Sequence, residues 1–143
     1  MQESIQPEEA ENQLPLCETI EIPNFVVPAA GEPPATTQRY RIAADCYTVH
    51  KLVVSFEMPP VQAKEIVPPP DAQVCFPQPD GSVKCSRWIE VKRKWTVEQA
   101  EVYGVASFAA VLASYLSPGT EFFVQLKQDF SSQRTLEKLV ISY

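Results

Sequence analysis

Glycine is scarce in this chain, with four residues among 143, and they stand far apart at Gly31, Gly81, Gly104 and Gly119. Phosphate-binding loops need closely spaced glycines, so the sequence contains neither a P-loop nor a dinucleotide-binding fingerprint. Collagen and flexible Gly/Ser linkers are excluded for the same reason. Proline, in contrast, is abundant at 14 residues, which predicts stiff and extended connections.

Histidine occurs once, as His50 within the strand-like stretch YTVHKLVV. Ser-His-Asp and Cys-His catalysis would both depend on this residue, and no nucleophile-elbow motif accompanies it. HExxH and EF-hand patterns are absent, and the only closely spaced acidic pair on one predicted element, Glu98 and Glu101, suits the first turn of a helix. The sequence therefore predicts no catalytic residue, no metal site and no cofactor, and hence a protein that is not an enzyme.

Lysine and arginine are missing from residues 1–35, which carry seven glutamates, while the rest of the chain carries 12 basic and 11 acidic side chains. An acidic N-terminal segment is the opposite of a basic nucleic-acid-binding tail, which disfavours a nucleic-acid partner. The first residues also lack the basic and apolar regions of a secretory signal peptide. The longest nearly apolar stretch, residues 102–116, is too short to span a bilayer, so no membrane association is predicted.

Residues 1–36 are predicted to form an extended, acidic, proline-rich arm, because six prolines interrupt any helix or long strand. A disordered tail seldom carries so many apolar residues, so we expect the arm to dock on protein. Two surfaces are open to it, since the arm could pack on its own domain or embrace a neighbouring subunit. The residues expected to make this contact are Leu14, Leu16, Ile20, Ile22, Phe25, Val26 and Val27.

Residues 37–143 are predicted to form a single α+β domain with a mostly antiparallel sheet. Three stretches alternate or are rich in β-branched and aromatic residues, namely 38–58, 120–130 and 134–143. The last two are separated by a short SSQ turn and are expected to pair as a β-hairpin.

One principal helix is predicted between these strands. Thr96 and Gln99 match a capping box, which places the helix start at residue 97. The apolar sequence then continues to about Leu116, where Ser-Pro-Gly ends it. Because this stretch has no charge after Glu101, the helix is expected to be buried on most sides.

The stretch CFPQPDGSVKC, residues 75–85, predicts a tight hairpin. Its Pro-Asp-Gly matches a type I turn followed by a left-handed glycine, and the resulting register places Cys75 opposite Cys85. Facing Cβ atoms lie about 4.5–5.5 Å apart, close to disulfide spacing. Cys17 and Cys46 are the second candidate pair, and a bond between them would attach the arm to the first strand.

The chemical state of the four cysteines stays open at the level of sequence. The intervals of 28, 28 and 9 residues between them do not match the closely spaced pairs of a structural zinc site. An even number of cysteines is compatible with disulfides, yet no signal peptide is visible and cytosolic thiols normally stay reduced.

A basic run interleaved with Trp88 and Trp95 lies between residues 84 and 94. Basic residues with aromatics can bind single-stranded nucleic acid by stacking. The patch is small, however, and the acidic arm of this chain or of a neighbour is a simpler partner for it. We therefore assign Arg87, Lys92 and Lys94 as candidate partner-docking residues.

These features favour a non-enzymatic structural or interaction protein with protein subunits as partners. It would be a subunit of a larger assembly, such as a virion decoration, cement or head–tail protein, whose arm docks on neighbours; this is an analogy in architecture. The alternative is an extracytoplasmic binding module stabilised by disulfides. The expected location is accordingly a virion in the first case and an extracytoplasmic compartment in the second.

Overall fold

The computed structural model describes residues 17–47, 49–58 and 69–143. The described elements, in chain order, are β1 (Thr19–Val27), β2 (Ala35–Thr36), β3 (Tyr40–Arg41), β4 (Val49–Met58), β5 (Asp71–Pro77), β6 (Val83–Cys85), β7 (Lys92–Arg93), α1 (Val97–Tyr103), β8 (Ala106–Leu116), β9 (Glu121–Lys127) and β10 (Arg134–Ser142). They build two antiparallel sheets. Sheet I has the strand order β1-β10-β4-β8-β7, and sheet II has the order β2-β9-β5-β6, with β3 also pairing with β9.

The two sheets pack face to face around one shared core, as in a β-sandwich. Every second residue of the central strands points into this core because side chains alternate along a strand. The inward residues are almost completely buried, and they include Leu52, Val54 and Phe56 of sheet I and Phe122, Val124 and Leu126 of sheet II.

The predicted principal helix is wrong, and with it the α+β class. Helix α1 covers only Val97–Tyr103, although it begins with the predicted capping box. The Thr96 hydroxyl accepts the Gln99 N–H at 3.2 Å, and the Gln99 side chain accepts the Thr96 N–H at 2.9 Å. The helix ends at Gly104, whose φ of 79° is left-handed. The rest of the predicted helix is strand β8, so the fold is a mostly antiparallel β structure.

Pairing with β4 explains why the stretch after Gly104 is a strand. Residues 106–113 pair with β4 in a continuous register, and a bulge near the C-terminal end precedes the last pair, Leu116 with Val49. Phe108 and Ala110 point into the core, whereas Val111 and Tyr115 point outward. A stretch that is apolar on both faces shows no period that separates a buried helix from a strand.

The predicted hairpin of residues 120–143 is also wrong in its pairing. Both strands form, but β9 pairs with β5 in sheet II, and β10 pairs with β1 and β4 in sheet I. The link between them crosses the sandwich. Gln128 holds this crossing, because its side-chain amide donates to the carbonyls of Val27 and Pro28 and its oxygen accepts a hydrogen bond from Arg134.

Part of the predicted arm is built into the sandwich. Residues 19–27 form the edge strand β1, antiparallel to β10, and residues 35–36 pair with β9 as β2. Pro23 is compatible with this strand because an edge strand can leave one backbone donor unused. At Asn24, where φ is 54°, the side that faces the core switches from Ile22 to Phe25.

Tyr143 closes the sandwich at the start of β1. Its main chain exchanges hydrogen bonds with Glu18, and its hydroxyl donates to the Glu18 carboxylate. The ring meets Phe122 of sheet II edge-on at 5.9 Å between centroids. Burial, together with the Glu18 contact, raises the pKa of Tyr143 to about 12.

We expect the free energy of unfolding to fall between pH 10 and pH 12 because of Tyr143. An unfolded tyrosine ionises near 10.0 and the folded one near 12, so in this range only the unfolded chain releases the proton. The contribution is thus complete below pH 10 and lost as pH rises. Urea unfolding across this range would measure it. Tyr143→Phe should flatten the fall while the exposed control Tyr47→Phe retains it, and equal slopes in both variants would contradict the assignment.

Candidate interaction surface

Most of the apolar arm residues that the structure describes contact this chain's own core. Ile20, Ile22 and Phe25 pack against it from β1, and Val27 is completely buried. Val26 faces the other way and is 45% exposed. Leu14 and Leu16 lie outside the described residues. Of the predicted docking residues in β1, Val26 is thus the most exposed, while Ile20, Ile22 and Phe25 are partly buried.

The three cations Lys92, Arg93 and Lys94, here called the basic edge, are exposed on and beside strand β7 at one margin of sheet I. Lys92 lies opposite Ala109 and Arg93 opposite Phe108 of β8. The Arg93 guanidinium lies 5.1 Å from the centre of the Phe108 ring. The edge therefore presents three consecutive positive charges, and that of Arg93 lies over the buried Phe108 ring.

Arg87 is exposed as well, but it belongs to the margin of sheet II. The segment that contains it runs beside β5, where the Ser86 N–H donates to Val74 O at 2.8 Å and the Ile89 N–H donates to Ala72 O at 2.7 Å. The predicted basic run is thus divided between two sheet margins. Lys92 and Lys94 form one cluster, and Arg87 lies with Lys84 of β6 on the other.

An exposed aromatic group adjoins the basic edge, and the sequence prediction missed it. The rings of Trp95 and Tyr103 lie 4.7 Å apart, and Tyr103 and Val102 at the end of α1 are 63% and 81% exposed. The helix predicted up to residue 116 placed these two residues inside a buried element. Gly104 was the available signal, since a glycine directly after an apolar turn is typical of a helix end.

Strand β8 has an apolar outer side. Val111 is 49% exposed and Tyr115 is 83% exposed. The Tyr115 ring meets the His50 ring edge-on at 4.8 Å, which gives the single histidine a packing partner. From Ala106 to Leu116 the strand carries no charged residue. The outer side of β8 is therefore exposed, apolar and free of charge.

Both cysteine pairs form disulfides in the structure. Cys75 lies opposite Cys85 in the register that the Pro-Asp-Gly turn predicts, with their Cα atoms 4.0 Å apart. Asp80 stabilises the turn, because its carboxylate accepts hydrogen bonds from the Ser82 hydroxyl at 2.6 Å and from the Ser82 N–H at 2.9 Å. These bonds lower the pKa of Asp80. The Cys17–Cys46 bond, with Cα atoms 5.9 Å apart, attaches the residues before β1 to the loop after β3.

Comparisons with known proteins identified no relative of this chain: no family model, no curated protein and no solved structure matches it. Among the described residues, no helix combines the length and apolar character needed to cross a membrane. Function must therefore be inferred from the surface of the chain itself, in which the basic edge is followed directly by Trp95 and belongs to β7, the strand that pairs with β8.

Proposed function

We propose that this protein is a non-enzymatic structural or interaction protein, a subunit of a larger assembly such as a virion decoration, cement or head–tail protein, whose acidic N-terminal segment docks on neighbouring subunits. The observation that supports it is the basic edge, where three consecutive cations are exposed beside the aromatic pair Trp95 and Tyr103. Residues 1–16 carry four glutamates and no cation, with Leu14 and Leu16 among them. Charge and apolar surface thus have complementary counterparts within the same chain.

The strand order places the start of the folded chain and the basic edge at opposite margins of sheet I. Strand β1 lies at one margin of sheet I and β7 at the other. Four strand spacings separate them, which is about 19 Å. A fully extended segment of 16 residues spans about 55 Å, so residues 1–16 are long enough to reach the basic edge of their own molecule or that of an adjacent subunit. Only the contact with an adjacent subunit raises the mass of the particle, and that is the contact we propose.

Removal of residues 1–16 tests this proposal, because the cut leaves Cys17, its disulfide and β1 in place. We expect the full chain to form large assemblies at low salt, and the truncated chain to lose these larger species. Exposed ion pairs contribute about 0.2–1 kcal/mol each and are screened by salt. Sedimentation velocity near 50 mM and near 500 mM salt would therefore show a salt-dependent mass only for the full chain.

Charge reversal on the folded body supplies the reciprocal test. Lys92→Glu with Lys94→Glu should abolish the salt-dependent association, since both side chains belong to the basic edge. Lys84→Glu with Arg87→Glu makes the same change of charge at the margin of sheet II and serves as the matched control. If the control pair weakens association as strongly as the basic-edge pair, or if the truncated chain still forms the larger species, the proposed docking is wrong.

A second function, a disulfide-stabilised extracytoplasmic binding module, is supported by the two disulfides. Such bonds persist in oxidising compartments and are rare in the cytosol. In this case the same surface would bind a different protein, and the purified chain would show no salt-dependent self-association. The sedimentation experiment therefore distinguishes the two functions.

A further inference from the structure

We infer that strand β8 pairs edge to edge with the β8 strand of a second copy of this chain. On one side, β4 pairs with β8 from Ala106 to Leu116. On the other side, β7 pairs with it only at Phe108 and Ala109. Among the described residues, no strand pairs with residues 110–116 on this second side. These seven residues therefore form an open sheet edge.

The backbone of β8 is oriented for such a pairing. The Lys94 N–H donates to Ser107 O at 2.8 Å, so the polar groups of Ser107 point to the β7 side. Alternate residues of an antiparallel strand direct their N–H and C=O groups to the same side. Val111 and Ala113 therefore direct theirs to this side too, beyond the end of β7. A row of such groups is a template for another strand.

The absence of charge selects a second copy as the occupant. β8 carries no charged side chain, so an antiparallel pairing with itself opposes no like charges. A charged strand, such as the acidic segment, would gain no electrostatic attraction here. Proteins protect their sheet edges with charges, prolines, bulges and short strands, and of these β8 has only the bulge between Ala113 and Leu116 in its pairing with β4. The other described edge strands have these features, with Glu21 and Pro23 in β1, Lys84 in β6 and two cations in β7.

The length of the opening sets the register. A two-fold axis at Ala113 pairs residues 110–116 with the same residues of the other copy, and the partner strand then fits between β7 and the turn that follows Leu116. Val111 of each copy lies beside Tyr115 of the other on the outer face, which is a favourable pairing of aromatic and β-branched side chains. These are the two β8 side chains with the largest exposure among its large apolar residues.

The inference rests on the proposed assembly function and names one of its partners, but it uses a surface different from the basic edge. At high salt, light scattering of the full chain should give about twice the chain mass of 16.0 kDa, and this dimer should persist at any salt concentration after removal of residues 1–16. Loss of the salt-dependent species with retention of the dimer would uphold both proposals. A salt-independent dimer without larger species would overturn the docking proposal alone.

Val111→Lys is the decisive variant, because it places like charges in the paired strands while the side chain remains outside the core. We expect its dimer dissociation constant to rise at least tenfold. Val26→Lys is the matched control, since Val26 is 45% exposed on β1 at the opposite margin of the same sheet; it should leave the dimer unchanged. A monomeric wild-type chain at every concentration tested, or equal effects of the two substitutions, would overturn the inference.

Amide hydrogen exchange tests the β8 pairing on the wild-type chain, so the result does not depend on the folding of a variant. The N–H groups of Val111 and Ala113 should exchange more slowly as the protein concentration rises, because they become hydrogen-bonded only in the dimer. The N–H of Ala109 should exchange at a rate independent of concentration, because Ala109 is already paired with Lys92 of β7 within one molecule. Fast exchange of Val111 and Ala113 at concentrations where a dimer is present would place the dimer contact elsewhere and overturn the pairing.

Discussion

Phe122→Ala is expected to lower the free energy of unfolding by about 3–5 kcal/mol, the usual range for deleting a buried phenylalanine. Phe122 is fully buried and contacts Tyr40 at 5.8 Å and Tyr143 at 5.9 Å between ring centroids. It therefore joins β9, β3 and the end of the chain within one core. Its removal leaves a cavity that the surrounding strands can close only in part.

Phe123→Ala is the matched control for this substitution. Phe123 is the next residue of β9 and points to the outer face, where the Arg39 guanidinium lies 6.0 Å from its ring centre. An exposed cation–π contact of this kind contributes about 1 kcal/mol or less, so a loss of about 1 kcal/mol is expected. Urea unfolding of both variants measures the difference. Equal losses would contradict the alternation of β9 between core and surface.

Replacement of both Cys17 and Cys46 by serine is expected to cost about 3–4 kcal/mol of unfolding free energy. The bond joins residues 29 apart in sequence, and in the chain-entropy estimate the stabilisation grows with the logarithm of loop length. It also holds the residues before β1 against the loop after β3. Without it, β1 retains its pairing with β10 but loses its covalent attachment at one end.

The hairpin disulfide provides the comparison. Cys75→Ser with Cys85→Ser opens a bond between residues only 10 apart, and the same estimate gives about 2–3 kcal/mol. Denaturant unfolding of the two double variants under identical conditions would rank the bonds. A larger loss from the hairpin pair would show that local packing around Cys75, which is completely buried, outweighs loop length.

Local patterns were predictable where a few neighbouring residues specify the backbone. The Pro-Asp-Gly turn brings Cys75 opposite Cys85 because a left-handed glycine determines the register of a short hairpin. The capping box of Thr96 and Gln99 likewise marks the helix start, since both of its hydrogen bonds are formed within four residues. Neither prediction needs any knowledge of distant parts of the chain.

Predictions failed where distant pairing decides between two locally acceptable conformations. The apolar residues after Gly104 suit a buried helix or a strand, and alignment with β4 makes them β8. Residues 120–143 could close a local hairpin, but β9 and β10 each find better partners in separate sheets. The prolines of the predicted arm argued against a long strand, yet Pro23 lies in β1 because that strand needs bonds on one side only.

The features of the candidate surface were likewise predictable only in part. The basic residues, the acidic N-terminal segment and the cysteine pairs could be named from the sequence, since charge and chemical type belong to the residues themselves. The separation of Arg87 from Lys92 and Lys94, the exposure of Tyr103 and the open side of β8 could not. The expectations of protein partners and of a virion or extracytoplasmic location stay predictions.

By itself, the sequence determined the turn, the helix cap, the facing positions of Cys75 and Cys85 and the distribution of charge, because each depends on a few adjacent residues. Only the tertiary structure decided the fold class, the partners of β9 and β10, and the place of β1 at a sheet margin. The physical reason is that a strand obtains its hydrogen bonds from another part of the chain. The local sequence therefore indicates which segments of this protein can form strands or helices, and pairing with distant segments decides which of these structures form.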